Sequence, residues 1–353
     1  MSGRPRSARF TFSDREMPVR FGRYHLLSRV AADPVGEEFL AAWGVDDGVD
    51  QLRTVKCIYP RVAEESEFVA LFSEEARALS RLSSANVVRV MEVGVEGRVP
   101  FVAREHVEGV TLARLARLAV ERGSLWPWEL AAHVAAEMLR GLDYIHRRED
   151  IHGRPMGMRH GDVRLDNAIV SFGGEVKLTR FGSTLRFIVD ERTNAELRDL
   201  RRRFEPPEGH SELEPTAAAD LWGVAMVLLA LLAGYVPDVR AAKDGRWVPP
   251  ELSPRVEQLP PTVDAFLGRA LNPDPEYRFE SAAEMRRALI GLMSAHASGH
   301  PPDDLAAWVR DLGKGDRERE LDLVRRTLGK EAELSVEEAE RSGAGALGPG
   351  AML

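Results

Sequence analysis

His160-Gly161-Asp162-Val163-Arg164-Leu165-Asp166-Asn167, followed by Lys177-Leu178-Thr179-Arg180-Phe181-Gly182, is the stretch on which the fold of this chain turns. In the first segment the carboxylate of Asp162 precedes a short polar run, Arg164-Leu165-Asp166-Asn167, that follows neither a helical nor a strand period. Such a run lets a carboxylate and an amide face one site. In the second segment Arg180 stands beside Phe181-Gly182. A guanidinium has only N–H donors and stays cationic, so this position cannot ligate a divalent metal.

Working outward, the residues before this stretch are helical. Leu130, Val134, Met138, Leu142 and Ile145 fall on one face of a helix over Trp126–Arg147. Earlier still the pattern is short strands broken by turns. Strands are expected at Tyr24–Val30, Glu38–Trp43, Leu52–Ile58, Val87–Val93 and Phe101–His106. One helix interrupts them, Glu67–Leu82, with Phe68, Leu71, Phe72, Ala76, Leu79 and Leu82 at three- and four-residue spacing. Downstream lie an apolar run from Leu221 to Val236, a helix pair at Pro261–Leu271 and Ser281–Ala295, and a helix candidate over 303–328. A β-rich stretch followed by a larger helical one predicts an α+β, two-lobed fold.

Composition narrows the function classes. The 353 residues are 44% hydrophobic and 29% charged, which suits a soluble protein with a large core. A formal charge of −8 argues against a nucleic-acid binder working through a basic surface. The one cysteine, Cys57, excludes an intramolecular disulfide, fits a reducing compartment and is expected to pack as a small apolar residue. Residues 1–20 lack the apolar core of a secretory signal. The 221–236 run is shorter than the ~20 residues a membrane span needs. A cytoplasmic protein is expected.

Taken in order, these motifs resemble the protein kinase family, and in particular the bacterial eukaryotic-type Ser/Thr kinases, over about residues 21–295. Val55-Lys56 resembles the strand that carries the ATP-positioning lysine. Phe72-Ser73-Glu74-Glu75-Ala76 is similar to the helix whose glutamate, here Glu75, pairs with it. Phe101-Val102-Ala103-Arg104-Glu105 resembles the strand entering the hinge. His160-Gly161-Asp162 with Asn167 resembles the catalytic loop, Asp162 at the base position and Asn167 at a metal position. Phe204-Glu205-Pro206-Pro207-Glu208 resembles the end of an activation segment, with Arg278 as the expected partner of Glu208. The family's internal hydrophobic column would use Leu79, Phe181 and His160, anchored at Asp220.

The resemblance implies a small β-rich lobe over 21–107 and a helical lobe over 108–295. A flexible arm is expected at 1–20, a helical extension at 296–330 and a disordered tail at 331–353. It also implies a nucleotide site formed by Lys56, Gly36 and Glu105, and here the sequence departs from the pattern. In the glycine loop Ala31 and Asp33 replace the first two glycines, and only Gly36 remains. Glu38 and Thr54 stand where small apolar residues would cover adenine. Arg104 stands at the back of that pocket, where it is expected to pair with Glu75 or Glu38. Arg180 replaces the aspartate that holds the phosphate-bridging Mg²⁺, and Gly161 replaces an arginine that receives activation-loop phosphate.

No cofactor is therefore expected, with ATP as the alternative and Mg²⁺ doubtful. The expected role is a pseudokinase that binds a protein, such as a signalling kinase or its substrate, with no nucleic-acid or membrane partner and an unassigned oligomeric state. The alternatives are a Mg²⁺-independent nucleotide switch, in which Arg180 neutralises phosphate, and a weakly active transferase. The arginines of 186–203 are expected to form a solvated loop.

Overall fold

Residues at alternating positions of Gly36–Trp43 turn to opposite sides, and both sides are covered. The computed structural model describes residues 17–33, 35–43, 51–64, 66–181, 202–210, 216–238, 247–254, 256, 259–296 and 301–326. They divide into two compact bodies.

The smaller body gathers residues of 17–64, 94–106 and 315–326. Its strands are β1 (Val19–Phe21), β2 (Tyr24–Ala32), β3 (Gly36–Trp43) and β4 (Gln51–Ile58), then a short helix α1 (Pro60–Ala63). The longer helix α2 (Ser66–Leu79) belongs to the other body. Next come β5 (Val90–Glu96) and β6 (Val99–Glu105), completing an antiparallel sheet of order β1-β2-β3-β4-β6-β5. Phe39 and Ala41 face a cluster with Phe21, Tyr24, Val55, Cys57 and Phe101. Leu40 and Ala42, one position out of phase, face Leu27, Leu52, Leu323 and Val324. Helical residues 314–326 thus cover the second face.

The larger body holds α2, a small sheet and the remaining helices. The sheet runs β7 (Gly109–Thr111), β8 (Ala168–Ser171), β9 (Val176–Leu178). The helices are α3 (Leu112–Glu121), α4 (Trp128–His146), α5 (Ala217–Ala233), α6 (Pro261–Ala270), α7 (Ala282–His296) and α8 (Pro301–Leu312). α5 is apolar on every side and buried from Asp220 to Leu232. Thr216 caps its start by accepting the Ala219 N–H, and Gly234 ends it in the left-handed region. Among the described residues no helix is long and apolar enough to cross a membrane.

Four expectations need correction. Of the expected arm over 1–20, residues 19–20 are strand, paired with β2; residues 1–16 lie outside the described set. The fifth strand begins at Val90 rather than Val87, because Val88 donates to the Leu178 carbonyl and Leu178 to that of Asn86, tying 86–88 to β9. A single boundary at residue 107 does not hold either, since 65–93 belong with the helical body. The expected helix over 303–328 divides at Gly313. A Cβ there would lie 2.9 Å from the Val309 carbonyl oxygen and 3.0 Å from Val110. The expected tail at 331–353 and the arginines of 186–201 are outside the described residues.

Candidate functional site

In the smaller body the positions expected to meet nucleotide lie on the β2–β3 hairpin and on β4 and β6. The hairpin is tight: Asp33 N–H donates to the Gly36 carbonyl, and the Asp33 carboxylate accepts the N–H groups of Val35, 2.8 Å, and Gly36, 3.0 Å. Its other oxygen accepts from Lys56 Nζ at 2.5 Å. Lys56 is placed by β4, where it pairs in register with Glu38 of β3 and Val102 of β6. Glu38 is bonded to Arg104 at 2.7 Å, and both side chains are largely buried, 5% and 12% exposed. Thr54 and Glu105 pair in register with Arg104 and Arg53. Ala31 pairs with Glu38.

Gly36 has a structural reason to be glycine. A Cβ there would lie 2.1 Å from the Cys57 carbonyl oxygen, so the close approach of β3 to β4 demands it, independently of any ligand. Gly36→Ala is expected to lower the melting temperature by several degrees; an unchanged thermal melt would sink that account. Burial and the nearby Glu37 charge push the Cys57 thiol up to about 12, so it packs and does not react.

In the larger body the loop 160–167 is held from below by α5. Asp220, buried on that helix, accepts the N–H groups of His160 at 2.9 Å and Gly161 at 2.8 Å, and bonds His146 Nε2 at 2.8 Å. Burial alone would push the Asp220 carboxyl up. The hydrogen bond and charge of His146 and the Gly161 amide outweigh it and carry the group below its usual range. Gly161 has φ +76°, which glycine adopts without penalty.

Asp162, at the expected base position, accepts from Asn167 Nδ2 at 2.8 Å and Arg164 Nε at 3.2 Å through one carboxylate oxygen. Arg164 also reaches Asp166 at 3.1 Å, so Asp166 is turned toward that guanidinium. Asn167 is buried, its amide also donating to the Asp162 carbonyl, and its Oδ1 has no hydrogen-bond partner among the described residues. Arg180 is the one non-glycine residue of the described set with positive φ, +56°, a conformation costing about 1–2 kcal/mol for such a side chain. Phe181 packs on His160 with ring centroids 4.6 Å apart. Farther along, Glu208 and Arg278 form the expected bidentate pair at 2.6 and 2.7 Å.

Glu75 lies on α2 in the larger body and Lys56 on β4 in the smaller. Within its own body Lys56 is held by Asp33. Arg164, His146 and Glu37 were not singled out from sequence. Glu37, almost fully buried, bonds Arg29 at 2.9 Å. Its only signal was a pair of adjacent glutamates in an otherwise apolar strand.

His160 makes stability depend on pH. Its Nε2–H donates to the Thr179 carbonyl and its Nδ1 accepts the Asp162 N–H, which fixes a neutral ring. Burial lowers its pKa, against the pull of the Asp220 and Asp162 charges. The unfolded chain takes up this proton near the ordinary 6.5, and the folded chain only at lower pH. The stability it contributes is therefore complete above that value and declines as pH falls toward the folded value, by at most ~1.4 kcal/mol per pH unit. Burial lowers His133 in the same direction. Urea midpoints should fall between pH 7.5 and 5.5 (about one unit either side of the histidine value), and His160→Phe should flatten the fall; an equal slope in the variant would refute the assignment.

Comparison with known proteins agrees with the fold. Residues 43–288 match the protein kinase domain family. Tyrosine-protein kinase MasK of Myxococcus xanthus is 27% identical over 301 residues, covering 82% of this chain and 46% of that protein. Serine/threonine-protein kinase PknL of Mycobacterium tuberculosis is 28% identical over 249 residues, 69% of this chain and 59% of that one. The chain thus spans about half the length of these curated relatives. The crystal structure of the Mycobacterium tuberculosis PknI kinase domain shares the fold. Its TM-score is 0.59 at 22% identity, covering 80% of this chain and 99% of that one. A sequence match across well over half of the chain, on a fold shared with a solved kinase domain, makes this chain a member of the protein kinase family.

Proposed function

We propose that this chain is a pseudokinase, a signalling scaffold of the cytoplasm that uses the kinase fold to bind a protein, a signalling kinase or the substrate of one. The observation that carries the reading is the buried Arg104–Glu38 pair, 2.7 Å, at positions where the family resemblance places the adenine pocket. Removing such a pair from its hydrogen-bonded setting to admit an apolar base leaves a buried charge, at a cost of several kcal/mol. The metal position supports the same reading. Mg²⁺ takes hard oxygen ligands, usually carboxylates. Arg180 has none to give, and the Asp166 carboxylate is bonded to Arg164. What remains at the family's metal positions is the Asn167 Oδ1, a single neutral amide oxygen, and by itself it does not fit the ion.

The test is a thermal shift with ATP, with Mg²⁺ and with EDTA. No shift in either condition is expected, and a saturable rise of several degrees with Mg²⁺-ATP would overturn the reading. A rise that survives EDTA would instead support the metal-independent switch.

The second reading, a weakly active kinase, draws on the loop 160–167, where Asp162, Asn167 and the Asp220 anchor form an ordered network. It requires transfer of labelled phosphate that Asp162→Asn abolishes. Equal label on the variant would eliminate it.

A further inference from the structure

Residues 315–326 meet the rest of the smaller body along one narrow stripe. The segment is helical, and its half-buried positions are Asp316, Glu320, Leu323 and Val324, one face at helical spacing. Its other residues are exposed. Beneath the stripe lies a separate apolar cluster, Leu27, Leu40 and Ala42, each at most 2% exposed. Leu52 joins it, paired in register with Ala42. The Glu320 carboxylate bonds His106 Nε2 at 2.7 Å and completes the contact.

The two sides of this contact differ in kind. The sheet side is as buried as a core, whereas no residue of the segment is buried. Helix α8, immediately before it, shows the contrast, with Leu305 and Val309 fully buried. The segment also carries ion pairs that support its own helix, Arg319–Asp316 at 2.6 Å and Arg326–Asp322 at 2.9 Å. A helix that is held by its own pairs and touches through one edge has the build of a ligand.

Its recognition elements are few. A carboxylate meets His106, and two aliphatic side chains, three and four residues later, meet the apolar cluster. This is the spacing by which an amphipathic helix enters an apolar groove. Tethering gives the segment a high effective concentration, on the order of millimolar, at its own docking surface. A helix arriving from another chain has that internal competitor to displace.

We propose that Leu27, Leu40, Ala42, Leu52 and His106 form a helix-docking surface, occupied here by residues 315–326 as an internal ligand. Its partner is an amphipathic helix of another protein, with a carboxylate followed three and four residues on by aliphatic side chains. This surface serves the protein-binding role of the pseudokinase reading and rests on that reading for its purpose.

The experiment is fluorescence anisotropy with a labelled peptide of residues 314–326. The peptide is added to the full chain and to its Leu323→Asp/Val324→Asp variant, which withdraws the internal helix from the cluster and leaves the chain whole. Affinity is expected to rise at least tenfold in the variant. Adding Ala42→Arg, which places a charge in the cluster, should return it to the unaltered level. A peptide carrying Glu320→Gln should bind the variant at least threefold more weakly. No binding to a folded variant, equal binding to variant and unaltered chain, or binding that survives Ala42→Arg overturns the proposal. None of these results bears on nucleotide. Stabilisation by Mg²⁺-ATP beside the expected peptide binding would overturn the pseudokinase reading and leave the docking surface standing.

Val324→Cys in the full chain covers the case in which the double variant does not fold. Cys57 is buried and its thiol is pushed up to about 12, so the new thiol reports alone. Its reaction with a disulfide reagent should accelerate at least fivefold when unlabelled peptide is added at about millimolar concentration. An equal rate would mean that the peptide does not take the place of the internal helix, and would overturn the proposal.

Discussion

Ending the chain after residue 296 is expected to leave a protein that cannot be recovered in soluble, cooperatively folding form. α8 is part of the core of the larger body: Leu305, Val309 and Leu312 are buried, Trp308 packs edge-on to Trp126 at 6.3 Å, and Arg310 donates to the Phe172 carbonyl at 2.9 Å. Full burial of an aliphatic side chain is worth about 1.5–3 kcal/mol. Three of them approach the whole ~5–15 kcal/mol of a typical domain before the newly exposed Val110, Phe172 and Trp126 are considered. Residues 314–326 add a second loss, since Leu323 and Val324 cover Leu27, Leu40 and Ala42 of the sheet. Leu305→Ala in the full chain provides a graded control and should cost about 2–5 kcal/mol in urea unfolding. If the chain ending at 296 gave the same unfolding midpoint as the full chain, α8 would have to be an accessory helix rather than core.

The sequence spoke clearly where a pattern is local and periodic. Leu130, Val134, Met138, Leu142 and Ile145 recur at helical spacing, and all are buried on α4. The run from Leu221 to Leu232 is apolar all round, and α5 is the buried centre of its body. Charged residues of strict chemistry were legible as well, Glu208 with Arg278 as a pair; Asp220 was read as the anchor of the hydrophobic column, and its hold on the loop amides of His160 and Gly161 was not. Legibility ended where turns and non-local packing decide. Nothing in residue spacing says that Asp33 curls back onto the next amides and so meets Lys56. That contact needs both the turn conformation and the β3–β4 register. Gly36 looked like the survivor of a ligand loop, yet the carbonyl of Cys57 accounts for it. Gly313 interrupts a helical period that runs on past it, for the sake of Val110 and Phe172 far away in sequence. Arg164 gave no signal beyond its place in a polar run, although it holds Asp162 and Asp166 together.

Arg278→Met should destabilise the chain by about 3–5 kcal/mol, the usual cost of breaking a buried ion pair from one side. The side chain of Arg278 is wholly buried and saturated. It binds both oxygens of Glu208 at 2.6 and 2.7 Å, and it donates to the carbonyls of Asn272, at 2.7 Å, and Pro273, at 3.2 Å. Its guanidinium also lies 4.7 Å from the centre of the Trp222 ring. Methionine preserves much of the volume, so a cavity cannot explain the loss; what remains behind is a carboxylate and several carbonyls without their donors. Lysine keeps the charge but offers a point ammonium in place of a planar fork, so Arg278→Lys should recover only part of the stability. Glu208→Gln removes the opposite charge while keeping an oxygen for the fork, and it should cost less than Arg278→Met because Glu208 retains some access to water, 17%. The order of unfolding midpoints, unaltered chain above Glu208→Gln, then Arg278→Lys, then Arg278→Met, therefore separates loss of charge from loss of geometry. If Arg278→Lys equalled the unaltered chain, charge alone would suffice and the bidentate geometry would carry no weight.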